Sequence, residues 1–203
     1  MELKETINCI ISETFERLQY AYQFNHENNT TENDFEGKEI KTRIVFPKKR
    51  DEESRISEQE LRFAFIEAFN QYCNNNNSPL YYSIETPTKD KYSNFKDTPK
   101  VSDDGRSAEF DAVIFKHINN KFVRVCIIEF KANNADETDH KKDIVKLNNE
   151  KEGDNNVLRF FIEIVKSYKE GTISSLKDKM KEFKFKDNFI CYSLKQGERI
   201  NMS

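Results

Sequence analysis

The chain has few of the residues that mark several common functional classes. It contains no tryptophan, 5 glycines and 4 prolines among 203 residues, and no glycine-rich loop of the kind that cradles nucleotide phosphates. ATP-driven chemistry is therefore not expected. No apolar run approaches the roughly 18 residues that span a bilayer, and the charged N-terminus has no signal-peptide pattern. We therefore expect a cytoplasmic protein that is not inserted in a membrane.

The cysteines and the charge balance narrow the classes further. The 4 cysteines lie far apart, and none belongs to a CxxC or similar spacing, which favours buried thiols over disulfides or zinc ligands. The formal net charge is −3 and the isoelectric point is about 5.8. Proteins that bind nucleic acid are often strongly basic. Any contact with nucleic acid must therefore come from a local basic patch.

The chain does contain enough apolar surface for a folded domain. Its 17 phenylalanines and 8 tyrosines supply large side chains for a core, although 34% of all residues are charged. Apolar periodicity predicts helices at residues 5–24, 56–73, 137–149, 155–169 and 172–185, and strands at residues 39–46, 80–88, 107–115, 121–132 and 188–194. The polar residues 89–105 read as a long loop.

This order of elements predicts an α/β (α+β) fold, in which a central mixed β-sheet is flanked by helices. The first helix is expected to lie outside the core. We divide the chain into residues 1–55, with the first helix, a short strand and a charged linker, and residues 56–203, which form the main domain. The second helix has the best-defined start, because Ser57 and Glu60 match a capping box.

Two predicted strands place charged residues at the same end of a hairpin. The strands 107–115 and 121–132 are joined by a turn at Asn119 and Asn120. Counted from this turn, Asp111 and Glu129 reach the same level, within about one residue, on the two strands. Lys131 shares the face of Glu129, because side chains alternate along a strand. Two facing carboxylates repel each other unless a cation lies between them, and a hard divalent cation such as Mg²⁺ or Mn²⁺ is the natural candidate.

The same residues carry a resemblance to a known family. Asp111 is followed at a distance by Glu-Phe-Lys at residues 129–131, between an upstream helix with Glu60 and the downstream helix HKKDIVKL. This pattern resembles the PD-(D/E)xK nuclease superfamily, over residues 56–147 and, by order of elements, on to residue 194. The resemblance implies a restriction-endonuclease-like αβββαβ core with an extra N-terminal helix. Phe110 stands where many members have proline.

The resemblance also implies an activity, which is metal-dependent hydrolysis of DNA in a setting such as bacterial defence, mobile elements or repair. Asp111, Glu129 and Glu60 would be catalytic residues that bind Mg²⁺ or Mn²⁺, and Lys131 would position the attacking water. The candidate nucleic-acid contacts are Lys142 and Lys146 in the downstream helix, and Lys177 and Lys181 in the lysine-rich residues 166–187. DNA is the expected partner, and RNA, a homodimer or a partner protein stay open.

Simpler interpretations of these residues remain. Glu129 and Lys131 could form a salt bridge at the end of a strand, and the capping box explains Glu60 without any metal. The carboxylates that could replace it at a metal site are Glu58, Glu67 and Glu109. His140 is expected to be a solvated residue near a helix start.

Two other functions stay open on the sequence alone. The first is a nuclease-fold protein that does not cleave and instead acts as a nucleic-acid-binding or assembly module. The second is an unrelated α+β domain in which the Glu-x-Lys pattern arises by chance, since this pattern is short. A structure in which Asp111 and Glu129 face opposite sides of the sheet would exclude the nuclease interpretation.

Overall fold

A seven-stranded mixed β-sheet with helices on both faces organises the chain. The computed structural model describes residues 2–26, 42–50, 53–133, 135–154 and 156–202. The helices are α1 (Leu3–His26), α2 (Glu58–Asn76), α3 (Glu137–Asn148) and α4 (Glu170–Lys179), and the strands are β1 (Leu80–Ser93), β2 (Lys100–Val101), β3 (Arg106–Ile118), β4 (Lys121–Ala132), β5 (Leu158–Val165), β6 (Phe189–Ser193) and β7 (Glu198–Arg199). None of the helices in these residues is long and apolar enough to cross a membrane.

The strand order in the sheet is β2-β1-β3-β4-β5-β6-β7. The pairs β4 with β5 and β5 with β6 are parallel, and the other neighbours are antiparallel. Parallel neighbours need a crossover, which α3 and α4 supply in the chain order β4-α3-β5-α4-β6. The predicted fold class, a mixed sheet flanked by helices, is confirmed.

Each face of the sheet carries its own hydrophobic core. Helices α1 and α2 pack on one face, and α3 and α4 pack on the other. Helix α1 is fully part of the first core: Ile7 and Ile10 are buried, and the ring of Phe15 stacks on Tyr192 of β6 with centroids 4.5 Å apart. The expectation that the first helix lies outside the core is therefore wrong, because its apolar stripe is used against the sheet. The division of the chain at residue 55 stays a prediction.

The hairpin of β3 and β4 matches its prediction closely. The strands pair antiparallel, and β4 has the predicted bounds. Asn119 and Asn120 form the two-residue turn with φ of 49° and 59°, the left-handed conformation that such turns require and that asparagine tolerates.

Four other predictions of secondary structure were wrong in whole or in part. The helix predicted at residues 155–169 is mostly strand β5, and β1 continues through Pro87 to Ser93 instead of stopping there. The long loop predicted at residues 89–105 therefore contains the end of β1 and the short partner strand β2. Of the strand predicted at residues 39–46, residues 42–46 are irregular and residues 39–41 lie outside the described residues.

Candidate functional site

The hairpin brings Asp111 and Glu129 to neighbouring positions. The last pair of the ladder joins Ala112 to Ile128, so Asp111 and Glu129 stand one step further along β3 and β4. The Asp111 carboxylate turns towards β4, where its Oδ2 accepts a hydrogen bond from the backbone N–H of Phe130 at 2.7 Å. The two positions are therefore neighbours in the sheet, and the charge of Asp111 is close enough to act on the pKa of Glu129 and raise it.

Arg62 of α2 holds the other side of Asp111. Its Nη2 donates to Asp111 Oδ1, and its Nη1 lies 3.1 Å from Oε1 of Glu85. Glu85 stands inside β1 with φ of 49°, a conformation that is unusual for a residue other than glycine. The guanidinium of Arg62 is buried between these two carboxylates. Sequence reasoning missed both Arg62 and Glu85, and the one available signal was an arginine beside the apolar stripe of α2.

Glu129 is almost fully buried and is paired with Lys146 of α3. Lys146 Nζ lies 2.6 Å from Glu129 Oε1 and 2.9 Å from Asp143 Oδ1. The same ammonium donates to the backbone carbonyl of Glu109 at 2.8 Å. Burial, and then the charge of Asp143, raise the pKa of Glu129 well above its ordinary value, although Lys146 opposes this shift.

Lys131 is buried beside two carboxylates from different helices. Its Nζ lies 2.6 Å from Asp143 Oδ2 and 3.3 Å from Glu58 Oε1. Burial acts to lower the pKa of Lys131, but the charges of Asp143 and Glu58 outweigh it and raise the pKa above its ordinary value. Lys131 is therefore an ammonium, which can donate hydrogen bonds but cannot take up a proton.

Asp143 connects the two lysines. Burial acts to raise its pKa, but the charges of Lys146 and then Lys131 have the greater combined effect and lower it. Sequence reasoning did not name Asp143, although it follows His140 by three residues and precedes Lys146 by three. This spacing is the signal for one helix face.

The structure does not bring Glu60 into this cluster. Glu60 Oε2 accepts the backbone N–H of Ser57 at 3.0 Å, as the capping box predicted. Glu60 also lines a different cavity, together with Arg43 and Phe63. Residues two apart on a helix point about 200° away from each other, so Glu58 faces Lys131 while Glu60 cannot. Of the three carboxylates named as alternatives to Glu60, Glu58 is the one in contact with the cluster.

A cleft of about 440 Å³ opens beside the cluster. Its wall includes Asp111, Asp143 and Lys146, whereas Glu129 and Lys131 lie buried behind that wall. The other charged and aromatic residues that line the cleft are Arg62, Glu85, Phe95, Arg106, Glu109, Phe110 and Lys142. The guanidinium of Arg106 lies over the ring of Phe95, 4.8 Å from its centroid. A polyanion entering this cleft would meet four cationic side chains, and also four carboxylates that balance their charge.

The four lysines proposed as nucleic-acid contacts have different surroundings. Lys146 is buried in its ion pairs, so it can reach the cleft but not the open surface. Lys142 lines the cleft and pairs with Asp139 at 3.0 Å. Lys177 on α4 and Lys181 just after it are exposed, and neither lines the cleft.

His140 is buried, so the expectation that it is solvated is wrong. Its Nε2 lies 2.9 Å from Glu163 Oε2, and its Nδ1 lies 3.0 Å from the carbonyl oxygen of Asp136. Glu163 is the β5 neighbour of Lys131 in the parallel ladder. This pair fixes α3 onto the sheet next to the cluster, because both side chains are inaccessible to solvent.

The charges of the cluster decide whether a metal ion fits. The contacts above join five carboxylates, Glu58, Glu85, Asp111, Glu129 and Asp143, to three cations, Arg62, Lys131 and Lys146. With every group ionised the formal excess is two negative charges, and a bound divalent cation would favour the ionised form of Glu129, whose pKa burial raises. In the part of the chain that the structure describes, however, no three His, Cys, Asp or Glu side chains are already grouped as a metal site. Oxygen donors of this kind suit Mg²⁺ or Mn²⁺.

Comparisons of the chain with protein-family models, with curated proteins and with solved structures give no match. What the cluster can do therefore follows from its own geometry and charge.

Proposed function

We propose that the protein is a metal-dependent nuclease of the PD-(D/E)xK type that hydrolyses phosphodiester bonds of DNA. One observation carries the proposal. Asp111 and Glu129 stand at neighbouring positions on paired strands, and Lys131 follows Glu129 on the same strand, beside a cleft that Asp111, Arg106 and Lys142 line. Asp, Glu and Lys in this arrangement suit the metal-dependent hydrolysis of a phosphate ester.

Asp111 and Glu129 would hold Mg²⁺ or Mn²⁺, with Asp143 as a further carboxylate at the cleft wall. A bound divalent cation supplies an activated water and neutralises charge on the phosphate. Lys131 is buried behind the cleft wall in its ion pairs with Asp143 and Glu58, so it would orient the attacking water or the phosphate once a bound cation draws Asp143 away from it. Arg106 and Lys142 at the rim contact phosphates of the strand. Glu58 supports the site by holding Lys131, and the metal-binding role first given to Glu60 is not part of this proposal.

A second function is favoured by a different observation. Each main carboxylate already has a cation as partner: Arg62 for Asp111, Lys146 for Glu129 and Lys131 for Asp143. Ion pairs of this kind complete the cluster without a metal. They support a nuclease-fold protein that binds nucleic acid or assembles with a partner but does not cleave.

Cleavage assays test the first function. Wild type and Lys131→Met are incubated with supercoiled DNA, single-stranded DNA and RNA, in Mg²⁺, in Mn²⁺ and in EDTA. We expect metal-dependent cleavage by the wild type and a loss of about 100-fold or more in Lys131→Met, which keeps the length of the side chain but cannot donate. Lys195→Met is the matched control, because Lys195 is an exposed lysine after β6.

Thermal denaturation with and without Mn²⁺ separates the two functions. A nuclease with this site is stabilised by Mn²⁺, and Asp111→Asn loses that stabilisation. A wild type that neither responds to Mn²⁺ nor cleaves any substrate would support the non-cleaving module. Equal cleavage by Lys131→Met and wild type would show that Lys131 has no part in the reaction.

A further inference from the structure

The carboxylates of the candidate site lie in or behind the wall of the cleft, away from the open surface. Glu129 and Asp143 are 1% and 6% exposed, and 15% of the Asp111 side chain is exposed. A phosphate that reacts at these carboxylates must therefore enter the cleft. A cleft of about 440 Å³ has the size of a site for a small ligand, which corresponds to a short segment of one strand. A duplex fits less well, because it is stiff and its two strands must enter together.

The charges of the cleft also disfavour a duplex. Of the four cationic side chains that line it, Arg62, Lys142 and Lys146 form ion pairs with carboxylates. Arg106 has no carboxylate contact among the residues that the structure describes. Duplex DNA carries one negative charge for about every 1.7 Å of its axis and is held by many phosphate contacts. The cleft offers few such contacts, so a strand bound there must gain much of its affinity from its bases.

Arg106 and Phe95 form a stacked pair that can receive a base. Both line the cleft, and the guanidinium lies 4.8 Å from the centroid of the ring. The ring is half-buried in the connection between β1 and β2, where the side-chain amide of Asn94 donates to the carbonyl of Thr98 at 3.3 Å. Arg106 is exposed, and bases stack on guanidinium planes. The base must be unpaired, because the bases inside a duplex are already stacked on each other.

We propose that the cleft takes an unpaired strand of DNA, with one base stacked on Arg106 and the backbone leading to Asp111. The choice of DNA rests on the nuclease proposal, whereas the preference for an unpaired strand follows from the size, charge and stacked pair of the cleft. Five residues of β3 separate Arg106 from Asp111, about 17 Å along the strand. The stacked base is therefore near the nucleotide that is cut but is not part of it. Stacking tolerates every base, so this site selects strandedness and not sequence.

Initial rates of cleavage by the full chain in Mg²⁺ test the strandedness. One labelled sequence without self-complementarity is presented as a single strand, as a blunt duplex and as a duplex with an unpaired tail. We expect the single strand and the tail to be cut at least about tenfold faster than the duplex. Phe95→Leu should raise KM for the single strand about fivefold and leave kcat within about twofold, because the ring supports binding away from the reacting atoms. Phe185→Leu is the matched control, because Arg159 lies over its ring at the same 4.8 Å and neither residue lines the cleft.

Fluorescence anisotropy in EDTA measures binding without cleavage. Labelled oligothymidine should bind with a slope of log affinity against log salt of about −1.4, for phosphate contacts by Arg106 and Lys142. It should bind Phe95→Leu at least about fivefold more weakly, and the same strand annealed to oligoadenosine should bind the wild type more weakly.

The two measurements distinguish the possible failures. Binding of this kind without cleavage in any metal would overturn the nuclease proposal and support the preference for an unpaired strand. Cleavage of the duplex as fast as the single strand would overturn that preference and leave the nuclease proposal standing, and so would equal KM and equal affinity in Phe95→Leu and wild type. If the protein neither binds nor cleaves the single strand, both proposals are wrong.

Discussion

Two glutamates in the first turn of α2 have different roles, although they are two residues apart. Glu58 contacts Lys131, and Glu60 caps the helix at Ser57. We expect Glu58→Ala to lower the cleavage rate about 10- to 100-fold, because Lys131 loses a partner that holds it in place. Glu60→Ala should leave the rate unchanged and lower the free energy of unfolding by about 1 kcal/mol. Parallel cleavage assays and urea titrations measure both effects. If Glu60→Ala lowers the cleavage rate and Glu58→Ala does not, then Glu60, and not Glu58, belongs to the site.

Arg62 and a divalent cation compete for the same carboxylate. Arg62 binds Asp111 and Glu85, so its removal leaves the partly buried carboxylate of Asp111 and the exposed carboxylate of Glu85 without that cation. We expect Arg62→Met to be less stable than the wild type by about 1 to 3 kcal/mol without metal. We also expect Mn²⁺ to raise its melting temperature by more than it raises that of the wild type.

Arg106→Met is the matched control for this experiment. Arg106 lines the same cleft but lies over the ring of Phe95, without a carboxylate contact of its own among the described residues. Its melting temperature in Mn²⁺ should follow the wild type. If Mn²⁺ stabilises Arg62→Met no more than the wild type, then Asp111 is not where the cation binds.

At the scale of elements, the sequence patterns that predicted the structure correctly are those in which the interacting residues are close together in the chain. The capping box gave the start of α2, and the Asn-Asn turn gave the hairpin and with it the level of Asp111 and Glu129. Strand β5 was mistaken for a helix because it is buried on both faces. Its charged residues, Arg159 and Glu163, are buried like their neighbours, so they do not mark a face that is open to solvent. A short apolar run of this kind fits a helix as well as a strand.

The contacts of the cluster depended on packing that no local pattern contains. Arg62 reaches Asp111, and Asp143 reaches Lys131, from helices whose rotation on the sheet is set by distant apolar side chains. The buried pair of His140 and Glu163 shows the same limit, since each residue alone is usually found at the surface. The strand residues of the site were therefore predictable, and their helix partners were not.

The turn of the hairpin offers a test at the scale of one element. Asn119 and Asn120 both have positive φ, which costs a residue with an ordinary Cβ about 1 to 2 kcal/mol. We therefore expect Asn120→Ala to lower the free energy of unfolding by about that amount in urea titrations. Asn120→Gly should be neutral or slightly stabilising, because glycine adopts this conformation without strain. A destabilised glycine variant would show that the asparagine side chain, and not the backbone, matters here.

At the scale of the whole molecule, Tyr192 joins α1 to β6, near one edge of the sheet. Its ring stacks on Phe15, and its hydroxyl donates to Gln19 Oε1 at 2.7 Å. Burial, and then the charge of Glu16, raise the pKa of Tyr192 to about 12. The neutral phenol is therefore favoured in the folded state, so this contribution is present below about pH 10 and is lost as the pH rises through about 12.

Tyr192→Phe tests this contribution. The variant keeps the stacked ring and loses the hydrogen bond, so it should be less stable by about 1 kcal/mol at neutral pH. The wild type should lose stability between about pH 10 and 12, whereas the variant has no phenol to ionise there, and the difference between the two should shrink. Urea titrations of both proteins at several pH values measure this difference in the free energy of unfolding. A constant difference across that range would mean that the hydroxyl is not buried against α1.

The docking of α1 predicts that residues 56–203 do not fold alone. Helix α1 buries five large apolar side chains, Ile7, Ile10, Ile11, Phe15 and Leu18, to 2% exposure or less. At about 1.5 to 3 kcal/mol each, they contribute about as much as the 5 to 15 kcal/mol that typically separates folded from unfolded domains. We expect the fragment 56–203 to lack a cooperative urea transition in circular dichroism, and a peptide of residues 1–26 added in trans to restore one. A cooperative transition of the fragment alone would instead support a domain boundary at residue 55.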